Sequence, residues 1–314
     1  MSTYLTLGLL IGLFIILSVS ADQVAKNLRI IAVKLGLPIF LLGLLLGLLT
    51  SLPEGAIAVN AVIGATPDLS TGNLFGGTII IFSLILGIGV VLNKEIDNDG
   101  RLGFLVLYFL YILLPFFLAL KGSLNRFDGA LLIILYILFL AGLYKDNHHI
   151  FNIKIAVINK TKAFKEILIV LTGLITILLS SHYIIELTIS LLKQYSLSPF
   201  LIGLIFFPLG TNLPELTVAI ASWRRKDKEL SFSNLLGSAV TNILMIGALA
   251  TVKTYYVTQA YNHLLAFLFT FILAIVLLIF YYSNKRLSRW EGIILIVIYL
   301  IYMLLQFQSD PLHL

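Results

Sequence analysis

Apolar runs long enough to cross a hydrocarbon core, roughly 17–25 residues, recur along this chain with short polar stretches between them. Ten are predicted, at approximately 4–20, 36–65, 72–92, 103–120, 128–144, 165–192, 198–222, 233–252, 262–283 and 289–307. The second and sixth are long enough to tilt or break. The longest polar stretch, roughly 145–164, is basic (Lys145, Lys154, Lys160, Lys162) and divides the runs five and five. No basic residue precedes Leu5–Val19, so the first run reads as a membrane helix rather than a cleaved signal peptide. The pattern predicts an all-α polytopic membrane protein of ten transmembrane helices, without a soluble domain.

Composition narrows this further. Hydrophobic residues make up 60% of the 314 positions and charged residues 11%, against roughly 25% charged in soluble domains. So much apolar surface cannot be hidden in one core, and lipid must be the solvent for the rest. There are no cysteines, which excludes disulfides, thiolate metal sites and a cysteine nucleophile. The net charge of +6 resides in short loops, where it reads as a topology signal and not as a nucleic-acid surface. With the N-terminus outside, 17 of the 21 basic residues fall on cytoplasmic loops, leaving Lys121, Arg126, Lys193 and Lys253 outside. Both termini are therefore predicted on the extracytoplasmic side.

The chain also repeats itself. Thr50-Ser51-Leu52-Pro53-Glu54, followed by Gly72-Asn73-Leu74-Phe75-Gly76-Gly77-Thr78, matches Thr211-Asn212-Leu213-Pro214-Glu215, followed by Ser233-Asn234-Leu235-Leu236-Gly237-Ser238-Ala239. Every matched pair is separated by 161 residues. The copies fall on the second and third, and the seventh and eighth, runs. Five spans is an odd number, so the copies run oppositely through the membrane, an arrangement that places transporter sites near the midplane. The predicted organisation is a first five-helix repeat over 1–144 (motif on 47–83), a cytoplasmic linker over 145–164, and a second repeat over 165–314 (motif on 208–244).

A carboxylate at membrane depth costs several kcal/mol unless it meets a partner or water. A single Pro-Glu pair would be read as a kinked helix with its acid paired to a loop lysine; duplication at one offset argues for a site. Glu54 and Glu215, brought together, would repel each other without a cation or proton between them. Hard cations take oxygen ligands, and Pro53 and Pro214 release carbonyls one turn earlier, near Leu49–Thr50 and Gly210–Thr211, that can face an ion. Thr50 and Glu54, like Thr211 and Glu215, lie four apart on one helix face. Asn73 and Asn234 stay open between packing amides and motif support. His182 and Glu186 read as interfacial, and Trp223-Arg224-Arg225-Lys226 as a topology anchor.

These residues resemble the sodium/calcium exchanger family of Ca²⁺:cation antiporters, whose inverted repeats carry G-T-S-x-P-E and then G-N-x-x-G-S-N-x-x-N/D. The second copy here ends Gly237-Ser238-Ala239-Val240-Thr241-Asn242, and the first ends Gly76-Gly77-Thr78-Ile79-Ile80-Ile81. The resemblance implies a ten-helix alternating-access antiporter, exchanging Ca²⁺ against Na⁺ or H⁺, in the plasma membrane of a prokaryote. Implied metal ligands are Glu54, Glu215, Thr50, Thr211, Ser51, Asn212, Ser238, Asn242, Gly77 and Thr78. The expected partners are inorganic cations and the lipid bilayer, with no nucleic acid and no cofactor; oligomeric state is left open. At Gly77, Thr78 and Ile81 three polar ligands of the family pattern shrink to one hydroxyl. Another transported cation, a non-transporting homologue and a metal-dependent intramembrane enzyme are the alternatives, the last requiring His or Asp ligands at the depth of the glutamates.

Overall fold

The computed structural model describes residues 3–34, 48, 51–93, 95–97, 102–146, 164–195, 198–216, 228–283 and 286–309. A helix lies on each of the ten predicted runs. In chain order they are α1 (Thr3–Lys34), α2 (Leu52–Ile63), α3 (Pro67–Ile80) and α4 (Leu86–Asn93), joined by a π-helical turn at Ile81–Ile85, α5 (Leu102–Ala119) and α6 (Arg126–Asp146). The second half holds α7 (Phe164–Tyr195), then α8 (Pro199–Leu201) and α9 (Phe207–Thr211) joined by a π-helical turn at Ile202–Phe206, α10 (Lys228–Val252), α11 (Ala260–Ser283) and α12 (Arg289–Ser309). Among the described residues six segments are long and apolar enough to cross a membrane, and three more, Leu52–Ile63, Leu105–Ala119 and Pro199–Thr211, are apolar but shorter.

The repeat offset extends beyond the motifs into the helix ends. Phe164 and Tyr195 follow Thr3 and Lys34 by the same 161 residues, as Lys228 follows Pro67. Helix α1 runs well past the predicted end near residue 20. Its polar last third stays helical through Asn27 bonding back to the Gln23 carbonyl and an Asp22–Lys26 ion pair one turn apart, the spacing at which such pairs support a helix.

Burial separates the helices into inner and outer ones. The most apolar window of Pro67–Leu92 is 83% buried, against 28% for those of Thr3–Leu28 and Phe164–Tyr195. Helices α3 and α4 therefore lie at the centre, while α1 and α7 pack along each other with broad faces left to lipid. One apolar cluster gathers α3 to α6 and α10 to α12 around Phe75, Phe116, Ile112 and Tyr302; a second joins α1, α2, α7 and α9 through Leu17, Ile57, Ile177 and Phe207.

Small residues set the closest helix approach. A Cβ on Gly72 would meet the Phe200 carbonyl, and one on Gly203 the Leu69 carbonyl. The two backbones are thus in mutual contact, which any side chain at either position would prevent, as is usual where membrane helices approach closely.

Two short antiparallel ladders tie the loops. β1 (Glu95–Asp97) pairs with β4 (Arg286–Ser288), Glu95 opposite Ser288. β2 (Ser123–Leu124) pairs with β3 (Tyr255–Tyr256), and Val257 adds a bond to the Gly122 carbonyl at 2.9 Å. No alternation in the sequence announced these strands, which are two or three residues long and made by contacts distant along the chain.

Candidate functional site

In the second copy the helix ending at Thr211 restarts after a one-residue turn at Asn212, and in the first a helix begins at Leu52 directly after Ser51. Ser51 has φ −86° and ψ 12°, and its counterpart Asn212 has φ −88° and ψ 13°. Each lies in the bridge region, where helical hydrogen bonding lapses. Proline then falls in the first turn of the new segment, where its missing N–H costs nothing. The restart is sealed identically: Gly55 N–H donates to the Ser51 carbonyl at 3.1 Å, and Leu216 N–H to the Asn212 carbonyl at 3.0 Å. Glu54 and Glu215 consequently stand in the first turns of the restarted helices, where the free amide ends favour negative charge.

One of the released carbonyls has a protein partner. The Gly210 oxygen accepts the Ser18 hydroxyl of α1 at 3.0 Å, so one of its two lone pairs is engaged by a neighbouring helix. The Asn212 side chain caps the same break by donating to the Pro208 carbonyl at 3.1 Å. The equivalent stretch of the first copy, with Thr50, lies outside the described residues.

The remaining sequence-predicted residues come from four segments of two repeats. Glu54 is 1% exposed and Glu215 fully buried, and the two carboxylates are within electrostatic reach of each other. Ser51, Thr78, Thr211, Asn212, Ser238 and Asn242 are all buried as well. Ser238 donates to Glu215 Oε1 at 3.2 Å. Thr211 donates to Asn73 Oδ1 at 3.2 Å and accepts from Asn212 Nδ2 at 3.3 Å. The Thr78 hydroxyl is spent on the Leu74 carbonyl of its own helix at 3.1 Å. Gly77 of α3 faces two amides: a Cβ there would lie 2.9 Å from Asn242 Nδ2 and 3.4 Å from Asn212 Nδ2.

The copies are unequal in hydrogen bonding. Ser238 corresponds to Gly77 at the common offset, so Glu215 has a hydroxyl donor that Glu54 lacks. The Glu54 backbone amide and the Thr211 hydroxyl approach the Glu54 carboxylate, yet neither of its oxygens completes a hydrogen bond. Both side-chain atoms of the Asn242 amide are likewise buried without a partner. Orphaned buried polar atoms each cost about 1–3 kcal/mol, a cost that a bound cation would relieve at the oxygens.

The match to known proteins decides the family. Residues 5–145 and 165–308 match the sodium/calcium exchanger protein family. The chain belongs to it. Sodium/calcium exchanger MaX1 of Methanosarcina acetivorans is 26% identical, over 95% of this chain and 97% of its own. The putative antiporter CaxA of Alkalimonas amylolytica is 26% identical over 97% and 99%. Two solved exchangers share the fold. The H⁺/Ca²⁺ exchanger CAX superposes with a TM-score of 0.71 at 18% identity, over 97% of this chain and 87% of that one. The sodium-calcium exchanger NCX_Mj, soaked with Na⁺ and Sr²⁺, gives 0.67 at 22%, over 96% and 99%.

As a member of the sodium/calcium exchanger family, the chain is a multi-pass integral membrane protein. Among the described residues no three His, Cys, Asp or Glu side chains gather at one point, so the cluster an intramembrane metalloenzyme would need is not found there. Asn73 is the site neighbour that sequence reasoning left undecided. Its match to Asn234 at the common offset was the available signal, but the partner it holds, Thr211, lies 138 residues away and has no local signature.

Proposed function

We propose that this chain is an alternating-access cation antiporter that exchanges Ca²⁺ against Na⁺ or H⁺ through a midplane site formed by both repeats. Glu54 and Glu215 bind the ion directly, with Ser51, Thr211, Asn212, Ser238 and Asn242 available to complete its oxygen shell, Thr50 in the same role from the first copy, and Gly77 and Thr78 forming the wall of α3. The single observation that carries this is the pair of buried, electrostatically interacting carboxylates, one from each motif copy. Two negative charges match one divalent cation, and the doubly charged empty site resists reorientation, which enforces exchange. Membership of a family of exchangers supports a transporter over an enzyme.

The division into repeats over 1–144 and 165–314, with both termini outside, belongs to this reading. The strand pairs support it. Loop parity puts β1 and β4 together on the cytoplasmic side and β2 and β3 together on the outer side, and both ladders join loops of one side. A second reading, with a different transported cation, is favoured by Gly77 and Ile81, which leave the first repeat poor in ligands.

Reconstituted vesicles test both. Ca²⁺ uptake driven by an outward Na⁺ or H⁺ gradient is expected, and is lost in Glu54→Gln and in Glu215→Gln. Unchanged uptake in either variant refutes the assignment, and uptake of Mn²⁺ or another cation in place of Ca²⁺ selects the second reading.

A further inference from the structure

We propose that Asn73 is a positioning residue: it accepts the hydrogen bond of the Thr211 hydroxyl so that the oxygen of Thr211, and not its hydrogen, is presented to the transported cation. The proposal rests on the reading of Glu54 and Glu215 as the ion-binding pair.

A threonine hydroxyl has one hydrogen to give and two lone pairs. Thr211 Oγ1 has three neighbours: Asn73 Oδ1, to which it donates at 3.2 Å, Asn212 Nδ2, which donates to it at 3.3 Å, and the Glu54 carboxylate alongside. Asn212 turns its amide nitrogen toward Thr211 and donates to it, so in this arrangement it does not accept from the threonine hydroxyl. The choice is between Asn73 and Glu54. A bare carboxylate is the stronger acceptor, and without Asn73 the hydroxyl would turn to it. The consequence would be double: a hydrogen pointing into the site, and a Glu54 lone pair occupied that the cation needs. Asn73 prevents this, and the unused acceptor capacity of the Glu54 oxygens follows from it.

The arrangement crosses the repeats. Asn73 stands on α3, fully buried, one turn before Gly77, and Thr211 ends α9, also fully buried. Gly72 beside it permits the backbone contact with 200–204 that brings α3 this close. Partners that orient a ligating side chain are worth about 10–100-fold in metal affinity.

The test is calorimetric titration of the purified protein with Ca²⁺, comparing the unsubstituted chain with Asn73→Ala, Thr211→Val and the double variant, each checked by its melting temperature. Asn73→Ala is expected to weaken Ca²⁺ binding by about 10–100-fold, and the double variant to bind no more weakly than Thr211→Val alone. Additive losses, or unchanged affinity in Asn73→Ala, overturn the proposal. Asn73→Asp keeps the shape with accepting oxygens only; it is expected to bind Ca²⁺ at least as well as the unsubstituted chain, and a loss there overturns the acceptor role even if the alanine variant does not fold. Absence of Ca²⁺ binding by the unsubstituted protein instead overturns the antiporter reading, and this assignment with it.

Discussion

Two adjacent glycines of α3 should respond oppositely to the same added methyl group. A Cβ on Gly76 would overlap the Leu204 carbonyl oxygen and lie 2.6 Å from Pro208 Cγ. Carbon contacts are normally 3.5–4.0 Å, so α3 and the 202–208 segment would have to separate by about 1 Å. Backbone carbonyls and a proline ring cannot swing aside, and forced repacking of this kind costs about 1–3 kcal/mol or more. At about 2–4 °C per kcal/mol for a large domain, Gly76→Ala lowers Tm by about 5–10 °C. A Cβ on Gly77 meets only the ends of two side chains, Asn242 Nδ2 at 2.9 Å and, less tightly, Asn212 Nδ2 at 3.4 Å. The nearer amide can rotate, so Gly77→Ala should leave Tm within about 2 °C but weaken Ca²⁺ binding by about tenfold, the value of one displaced charge-assisted contact. Thermal unfolding in detergent and calorimetric titration of the same samples read both effects. Equal Tm losses in the two variants, or full Ca²⁺ affinity in Gly77→Ala, would refute the reasoning.

Other expectations follow from the same contacts. Ser238→Ala removes the hydroxyl that reaches Glu215 and should lower Ca²⁺ affinity by about tenfold with little change in Tm; an unaffected titration would place Ser238 outside the site. Ser18→Ala leaves the Gly210 carbonyl without its hydroxyl donor and should destabilise the protein by about 1–3 kcal/mol, read as a lower Tm with the preference among cations unchanged. Because the chain has no cysteine, single cysteines report topology directly. At the exposed positions Gly122 and Lys253 a membrane-impermeant thiol reagent added outside intact cells should label Gly122→Cys and Lys253→Cys and spare Lys154→Cys, whereas the reverse pattern inverts the proposed orientation.

What the sequence made legible were features written in local order. Hydrophobic runs marked every helix, because length and composition suffice to define a lipid-facing segment. The 161-residue offset marked both restarted helices, because proline and its preceding turn residue act on their own neighbours. The features that escaped are pairings between distant residues. The continuation of α1 to Lys34 depends on polar turns that hydropathy scores as loop. The capture of the Gly210 carbonyl by Ser18 joins residues 192 apart, which proline geometry alone does not disclose. Likewise the π-helical turns at Ile81–Ile85 and Ile202–Phe206 occur in apolar stretches whose composition is compatible with an unbroken α-helix.

The inequality of the two motif copies has a structural logic once α3 and the second repeat are considered together. Ser238 and Asn242 give the second repeat a hydroxyl and an amide where the first has Gly77 and Ile81. Symmetric ligands would crowd the space beside α3, since Gly77 is already within contact distance of the Asn242 and Asn212 amides. The first repeat instead supplies a carboxylate, Glu54, and the room for its counterpart's side chains to cross over. In the proposed site Asn73 contributes from the first repeat by holding Thr211, without itself being a ligand. A hydroxyl introduced as Gly77→Ser should therefore compete with Asn242 for the same space rather than add a ligand. Asn242→Gly in the same chain should relieve that competition, so that the double variant binds Ca²⁺ more tightly than Gly77→Ser alone. If the double variant binds more weakly, the amide and the added hydroxyl occupy separate places, and the crossing-over of the second repeat's ligands is not what the glycine is for.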